Sequence, residues 1–342
     1  MNENWLVLIW YFVICASVVF YTILDGFDLG VGMLQLFGRS DTERRIFLNS
    51  IGPVWDGNEV WLVIIGGATF AGFPIAYATI CSVFYIPIMI LLMGIIFRAV
   101  AIEFRSKVES PVWRQVWDVI FCVSSYVMTF LFGVLLANLV QGVRLGPEGE
   151  FLGTFWDFFT PYSILVGITG IFLFIMHGTI YLFMKTEGDL HERLRGWVPH
   201  SIAYFCIFYF LTTAATLIYM PHMGDALRDN PWLFLIALVA LLVIANIPRE
   251  IFRGNDWYAF LSSCLSITLL LALYAIGTFP NLLRSSLDPA KHSMTIYDAA
   301  ASDGTLKIIL TIAIIGVPLV IAYGFWIYRI FRGKVTLHDA SY

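Results

Sequence analysis

The sequence predicts an all-α integral membrane protein of about nine transmembrane helices, and three observations predict it. Apolar residues make up 59% of the 342 residues and charged residues only 13%, about half the ~25% usual in a soluble domain. Mean hydropathy is +0.82. The apolar residues also fall into long runs, many reaching the roughly 20 residues that a membrane helix needs, with polar breaks between them. A net charge of −4 and the lack of a basic tract give no sign of a nucleic-acid partner. Cys15, Cys81, Cys122, Cys206 and Cys264 all sit inside apolar runs without a CxxC pair, and are read as small apolar side chains. The MNEN start lacks the basic region and cleavage site of a signal peptide, so the first run is read as a retained span.

The expected spans are 5–36, 54–78, 80–104, 115–141, 157–184, 198–220, 231–252, 256–280 and 304–331. The first closes on the polar stretch around Arg39, Arg44 and Arg45. The second opens after Pro53, where a missing N–H costs little. The third runs into Arg105 and Lys107, and the fourth lies between Arg114 and Arg144. The fifth closes at Lys185, and the sixth is bracketed by His200 and His222. Arg228 and Arg249 flank the seventh, Arg253 and Arg284 the eighth, and the ninth ends at Arg329 and Arg332.

The same basic residues set the orientation. Of the 20 Lys and Arg, fourteen fall in one set of connections and at the C-terminal end, whereas four (Arg144, Arg228, Arg284, Lys291) fall in the other set. Cytoplasmic loops carry the excess of Lys and Arg, so the N-terminus is expected outside and the C-terminus in the cytoplasm, which requires an odd number of crossings.

ILDGFDLGVGM (23–33) followed by TERR resembles IMHGTIYLFMK (175–185) followed by HERLR, four spans later. This suggests two parallel-repeated four-helix units plus one peripheral helix, with coincidence as the alternative. The corresponding division is 1–150 for the first unit, 151–285 for the second, and 286–342 for an external loop, the ninth helix and a cytoplasmic tail.

Ionisable side chains crowd the cytoplasmic half of the spans. At a rise of about 1.5 Å per residue, Asp25 and Asp28 lie roughly 12–18 Å inside the first span. Asp56 and Glu59 lie within about 10 Å of the inner end of the second, and Arg98 and His177 about 10 Å inside the third and fifth. Glu103 lies nearer the surface, and Asp118 opens the fourth span. The outer half is nearly bare, with Asn138 and Lys307 close to its rim. Asp25 and Asp28, like Asp56 and Glu59, are i, i+3 pairs that share a helix face, and Arg98 is the natural counter-ion. Gly26, Gly30 and Gly32 allow close helix approach beside them.

Charges inside a membrane cost a few kcal/mol each and usually face partners or water. One reading is structural: Arg98 locks helices together, and Glu103 and Asp118 rest at the headgroup level. The second is a proton inlet through Asp56, Glu59, Asp25 and Asp28, open to the cytoplasm and feeding a partner. An independent proton-coupled transporter is the third, weakened by the absence of an outward path. Among six histidines (His177, His191, His200, His222, His292, His338), no two have the matched depth that bis-His haem ligation needs. His177 is read as a polar relay or hydrogen-bonding group within a helix interface.

The motifs DGFDLGVGML (25–34), SDTERR (40–45), GPVWDGNEVWL (52–62), FRAVAIEFRSK (97–107) and SMTIYDAAAS (293–302) together resemble subunit II of the cytochrome bd-type quinol oxidases, along the whole chain. The resemblance implies a complex of the bacterial cytoplasmic membrane that oxidises quinol, reduces dioxygen to water and takes protons from the cytoplasm. It implies that two haems b and one haem d belong to a partner, subunit I, paired pseudosymmetrically with this chain. This chain would itself hold no haem or metal, would scaffold subunit I and would help to deliver protons. That role attaches to the Asp of the WDGN motif, here Asp56 beside Trp55, with Asp25 as a second candidate and Arg98 matching a basic position. Glu59 stands where relatives can carry an amide. The resemblance leaves open a small single-span accessory subunit and a structural quinone, although the short 221–230 connection offers little outside surface for one.

Overall fold

The computed structural model describes residues 4–337; the first three residues and the tail from His338 onward lie outside the described residues. The chain is a bundle of long helices. Asn4–Leu34 (α1) leads through Asp41–Ile51 (α2) to Trp55–Gly72 (α3), Pro74–Val83 (α4), Tyr85–Phe104 (α5) and Pro111–Gln141 (α6). Pro161–Lys185 (α7) and Gly188–Tyr219 (α8) follow, then the short Asp225–Asp229 (α9), Phe234–Phe252 (α10) and Asp256–Thr278 (α11). A two-stranded antiparallel ribbon, Asn281–Leu283 (β1) with Met294–Thr295 (β2), encloses Pro289–His292 (α12) and leads to Asp303–Ile330 (α13).

Eight helices among the described residues are long and apolar enough to cross a membrane. The ninth crossing is α3, whose polar first turn (Asp56, Asn58, Glu59) sets it apart. Its 18 residues span about 27 Å, and it runs antiparallel to α1: Asn58 meets Asp28 and Leu24 at one end, Phe20 stacks on Trp61 midway, and Gly72 lies against Trp10 at the other.

Several boundaries differ from the sequence expectation; α8 begins at Gly188, ten residues before the expected sixth span, with Pro199 inside it. The second span stops at Gly72, because Pro74 forces Phe73 out of helical geometry (φ −135°, ψ 63°). The separate helix α4 then lies between it and the third crossing, which begins at Tyr85. The connection from the first to the second crossing is also structured. It holds the 11-residue α2, whose N-cap Ser40 accepts a hydrogen bond from the Glu43 N–H, the start signal of an S-x-x-E capping sequence.

The packing follows one scheme in both halves. In the first, α1 packs on α3 and α6, and α5 on α6; in the second, α7 packs on α8 and α11, and α10 on α11. The halves meet through α1 with α7, α6 with α7 and α1 with α11. Helix α13 lies outside, against α3 and α1, and buries only Leu306.

Two glycine contacts bring the halves together. A Cβ on Gly30 would sit 2.0 Å from the Phe174 carbonyl oxygen and 2.9 Å from the Gly178 backbone. A Cβ on Gly133 would sit 2.6 Å from the Gly167 Cα. Backbone cannot rotate aside, so Gly30→Ala should separate α1 from α7 and cost roughly 1–3 kcal/mol, as overpacking does. Thermal melting of the purified protein checks this. Gly196→Ala, with open space around it, should leave the midpoint in place or raise it slightly.

The basic connections gather at one end of the bundle. There Glu43 takes a bidentate pair from Arg193 (2.9 and 2.6 Å), which together with the Arg39 N–H holds its carboxyl below the usual carboxylate range. Lys185 donates to the Phe331 carbonyl and Lys334 pairs with Asp256. The opposite end carries the ribbon, the 142–160 connection and α4.

Candidate functional site

Helices α1, α3 and α5 meet around Arg98, which is fully buried although it carries a full charge. A single nitrogen, Nη2, serves two acids: it lies 2.6 Å from Asp25 Oδ1 and also contacts Glu59 Oε1. Asp25 is 0% exposed, and the Glu59 side chain 19%. One turn along α1, the equally buried Asp28 accepts a hydrogen bond from Asn58 Nδ2 at 2.7 Å. Asn58 Nδ2 also reaches the Leu24 carbonyl, and its Oδ1 accepts from the Tyr328 hydroxyl of α13 at 2.8 Å. Asn58 and Tyr328 were not among the residues singled out from the sequence.

Buried polar atoms are nearly always satisfied by protein or water. In this cluster Asp25 Oδ1 has only its ion pair with Arg98, and Asp25 Oδ2, Asp28 Oδ1, Arg98 Nε and Nη1, and the Tyr21 hydroxyl have no protein hydrogen-bond partner. Polar atoms of this kind, deep in a bundle, are where bound water can complete the hydrogen bonding.

The remaining sequence candidates divide. Asp56 is exposed on the outer face of α3, one turn before Glu59. Trp55 beside it is half-buried and packs on the main apolar core. His177 is fully buried and lies apart from the carboxylates. Its Nε2 lies 2.9 Å from the Ile23 carbonyl and its Nδ1 2.8 Å from the Ser263 hydroxyl, an arrangement in which Nε2–H donates and Nδ1 accepts. The ring stacks on Phe260, so His177 ties α1, α7 and α11 together.

Asp118, near the start of α6 at the rim of the bundle, is covered by protein. It is 1% exposed and accepts from Arg105 Nε (2.6 Å), Arg105 Nη2 (3.1 Å), Arg44 Nη1 (3.1 Å) and Gln35 Nε2 (2.7 Å). Arg105 and Arg114 both reach on to Asp41. These groups fold the ends of α1, α5 and α6 and the start of α2 over the basic end of the bundle. Among the described residues, no group of three or more His, Cys, Asp or Glu could hold a metal ion.

Fold and site together define a polytopic helical membrane protein with an acid-rich, incompletely satisfied cluster inside its bundle. Residues 6–331 match the family model described as cytochrome bd terminal oxidase subunit II. The chain is 33% identical to the cytochrome bd-I ubiquinol oxidase subunit 2 of Escherichia coli (strain K12), covering 97% of this chain and 95% of the relative. It is 34% identical to the cytochrome bd ubiquinol oxidase subunit 2 of Bacillus subtilis (strain 168), covering 96% of each. The bd oxidase structure from Geobacillus thermodenitrificans superposes with a TM-score of 0.79 at 19% identity, covering 95% of this chain and 98% of that one. The chain belongs to the cytochrome bd terminal oxidase subunit II family. It is therefore one membrane subunit of an oxidoreductase complex, and catalysis belongs to the complex.

Proposed function

We propose that this chain scaffolds a haem-bearing subunit I and carries protons toward it in a complex that oxidises quinol and reduces dioxygen to water. In this reading the arginine-rich end faces the cytoplasm, as the positive-loop bias requires, and the N-terminus lies outside. The two haems b and the haem d belong to subunit I. In support of a haemless role, both ring nitrogens of His177, the histidine buried deepest among the spans, are already engaged. A small single-span subunit and lipid complete the proposed surroundings, and the repeat units keep the proposed bounds of 1–150 and 151–285, with 286–342 beyond them.

One observation carries the inlet. Exposure falls stepwise from Asp56, open on the face of α3, through the partly exposed Glu59 to Asp25 and Arg98 at 0%. The path needs one helical turn and one bridging guanidinium. Charge balance points the same way. Two carboxyls (Asp25, Glu59) share one cation and a third, Asp28, is held by the neutral Asn58, so acidic groups outnumber basic ones in the cluster. Asp28 would act as a branch held by Asn58, and His177 as a fixed neighbour rather than a carrier.

Asp56→Asn tests the route in the intact complex. Quinol-dependent oxygen uptake should fall by roughly a hundredfold or more, the lower end of what a positioned proton-transfer group contributes, with the haem spectrum unchanged. Unchanged turnover would remove Asp56 from the path, and joint loss of haem and turnover would make its role one of assembly.

A further inference from the structure

A groove of about 780 Å³ runs between the basic end of α10 and the start of α11, within the range of volumes typical of ligand sites. Toward the membrane interior its walls are Leu242, Leu261 and Leu265, which are 60%, 41% and 46% exposed. Leu242 lies two turns before Arg249, roughly 10 Å deeper. Toward the end of the bundle the walls become polar, with Asn246, Arg249 and Tyr258.

The charges here are unequally matched. Glu250 already accepts from Arg253 Nη1 (3.4 Å) and Asn255 Nδ2 (2.9 Å), and Asp256 is paired with Lys334 (3.2 Å). Arg249 Nη1 donates to the neutral amide oxygen of Asn246 at 3.1 Å, and among the described residues no carboxylate oxygen lies within 4.0 Å of its guanidinium nitrogens. Asn246 in turn donates to Ser262 Oγ across the groove (3.0 Å), so the guanidinium is fixed at the groove mouth with its charge unspent. The hairpin beneath is rigid: Gly254 in the left-handed region (φ 75°), with Gly254 N–H on Ile251 O and Asn255 N–H on Glu250 O, forms a Schellman turn.

We propose that this groove binds an anionic phospholipid of the leaflet at the arginine-rich end. The headgroup phosphate sits on Arg249, and an acyl chain lies along Leu242, Leu261 and Leu265. Guanidinium–phosphate contacts are charge-assisted and geometrically specific, and basic pockets between membrane helices near this boundary favour anionic headgroups. A cation without a counter-ion above an open apolar slot matches both parts of such a lipid. The site stands apart from the carboxylate cluster and does not depend on its proton role.

The test uses the complete oxidase complex, delipidated in mild detergent and titrated in native mass spectrometry with dioleoylphosphatidylglycerol, dioleoylphosphatidylcholine or inorganic phosphate. The intact complex should hold phosphatidylglycerol at a site that Arg249→Gln weakens by roughly tenfold, the value of one charged hydrogen bond. Leu261→Trp, which fills the slot and keeps the cation, should weaken the same site, and phosphatidylcholine should occupy it less well. Three results would overturn the proposal: equal binding of both lipids, binding that neither variant changes, or displacement of the lipid by millimolar phosphate. Failure of maleimide to label Leu261→Cys in the delipidated complex would put a partner subunit over the groove and overturn it too.

Discussion

Arg98→Met is expected to destabilise the chain by about 3–5 kcal/mol, the cost of removing one member of a buried ion pair. Native stability of a domain is only about 5–15 kcal/mol, so the complex should accumulate poorly, and what survives should melt at a much lower temperature. The loss comes from what stays behind. Asp25 is fully buried and has no protein hydrogen bond beyond its contact with Arg98, so the variant leaves an acid with no charge partner. Asp25→Asn in the Arg98→Met background should therefore restore part of the midpoint, because the remaining Glu59 is partly exposed. Arg98→Lys should lose less than Arg98→Met. One guanidinium nitrogen makes both acid contacts, and Nε and Nη1 bond to no protein group, so a single ammonium can imitate the essential geometry. An Arg98→Met complex that melts with the parent would show that the acids carry no charge needing compensation.

The depth arithmetic that pointed to Arg98 as the counter-ion worked because a helix rises uniformly, so Asp25, Glu59 and Arg98 could all be placed in the same half of the spans from sequence. It failed at the ends of the helices. Asp118, the eighth residue of α6, counted as a surface group, but Gln35, Arg44 and Arg105 arrive from three other segments and cover it. No local pattern announces that closure. Asn58 was nearer to being legible. With Trp61, Ala68 and Gly72 it forms the buried stripe of α3, whereas Asp56, two positions earlier, points off that stripe. The helical period therefore separates the amide facing α1 from the exposed acid. Tyr328 could not have been found this way, because it reaches Asn58 from 270 residues along the chain. The signals for α2 and for the break at Phe73 were present, in Ser40 with Glu43 and in Pro74, but hydropathy passes over both.

Asp118→Ala should cost as much stability as Arg98→Met and leave a different functional trace. The substitution removes the acceptor of four hydrogen bonds. Arg105, only 1% exposed, keeps just Asp41, whose side chain is 44% exposed and shared with Arg114. A buried guanidinium that loses its carboxylate costs about 3–5 kcal/mol, whereas an exposed pair is worth about 0–1 kcal/mol. Asp41→Asn should thus shift the melting midpoint slightly and Asp118→Ala severely, though both remove a partner of Arg105. Salt separates them further, because exposed pairs are screened and buried ones much less so: raising ionic strength should shrink the Asp41→Asn effect and leave that of Asp118→Ala in place. The Asp118 network ends at the rim of the bundle and has no contact with Asp25, Asp28 or Glu59. Oxygen uptake per haem in the Asp118→Ala complex that does assemble should accordingly match the parent. A lower rate per haem would join Asp118 to the proton path, whereas an unchanged rate with a collapsed midpoint marks it as the clasp of the arginine-rich end.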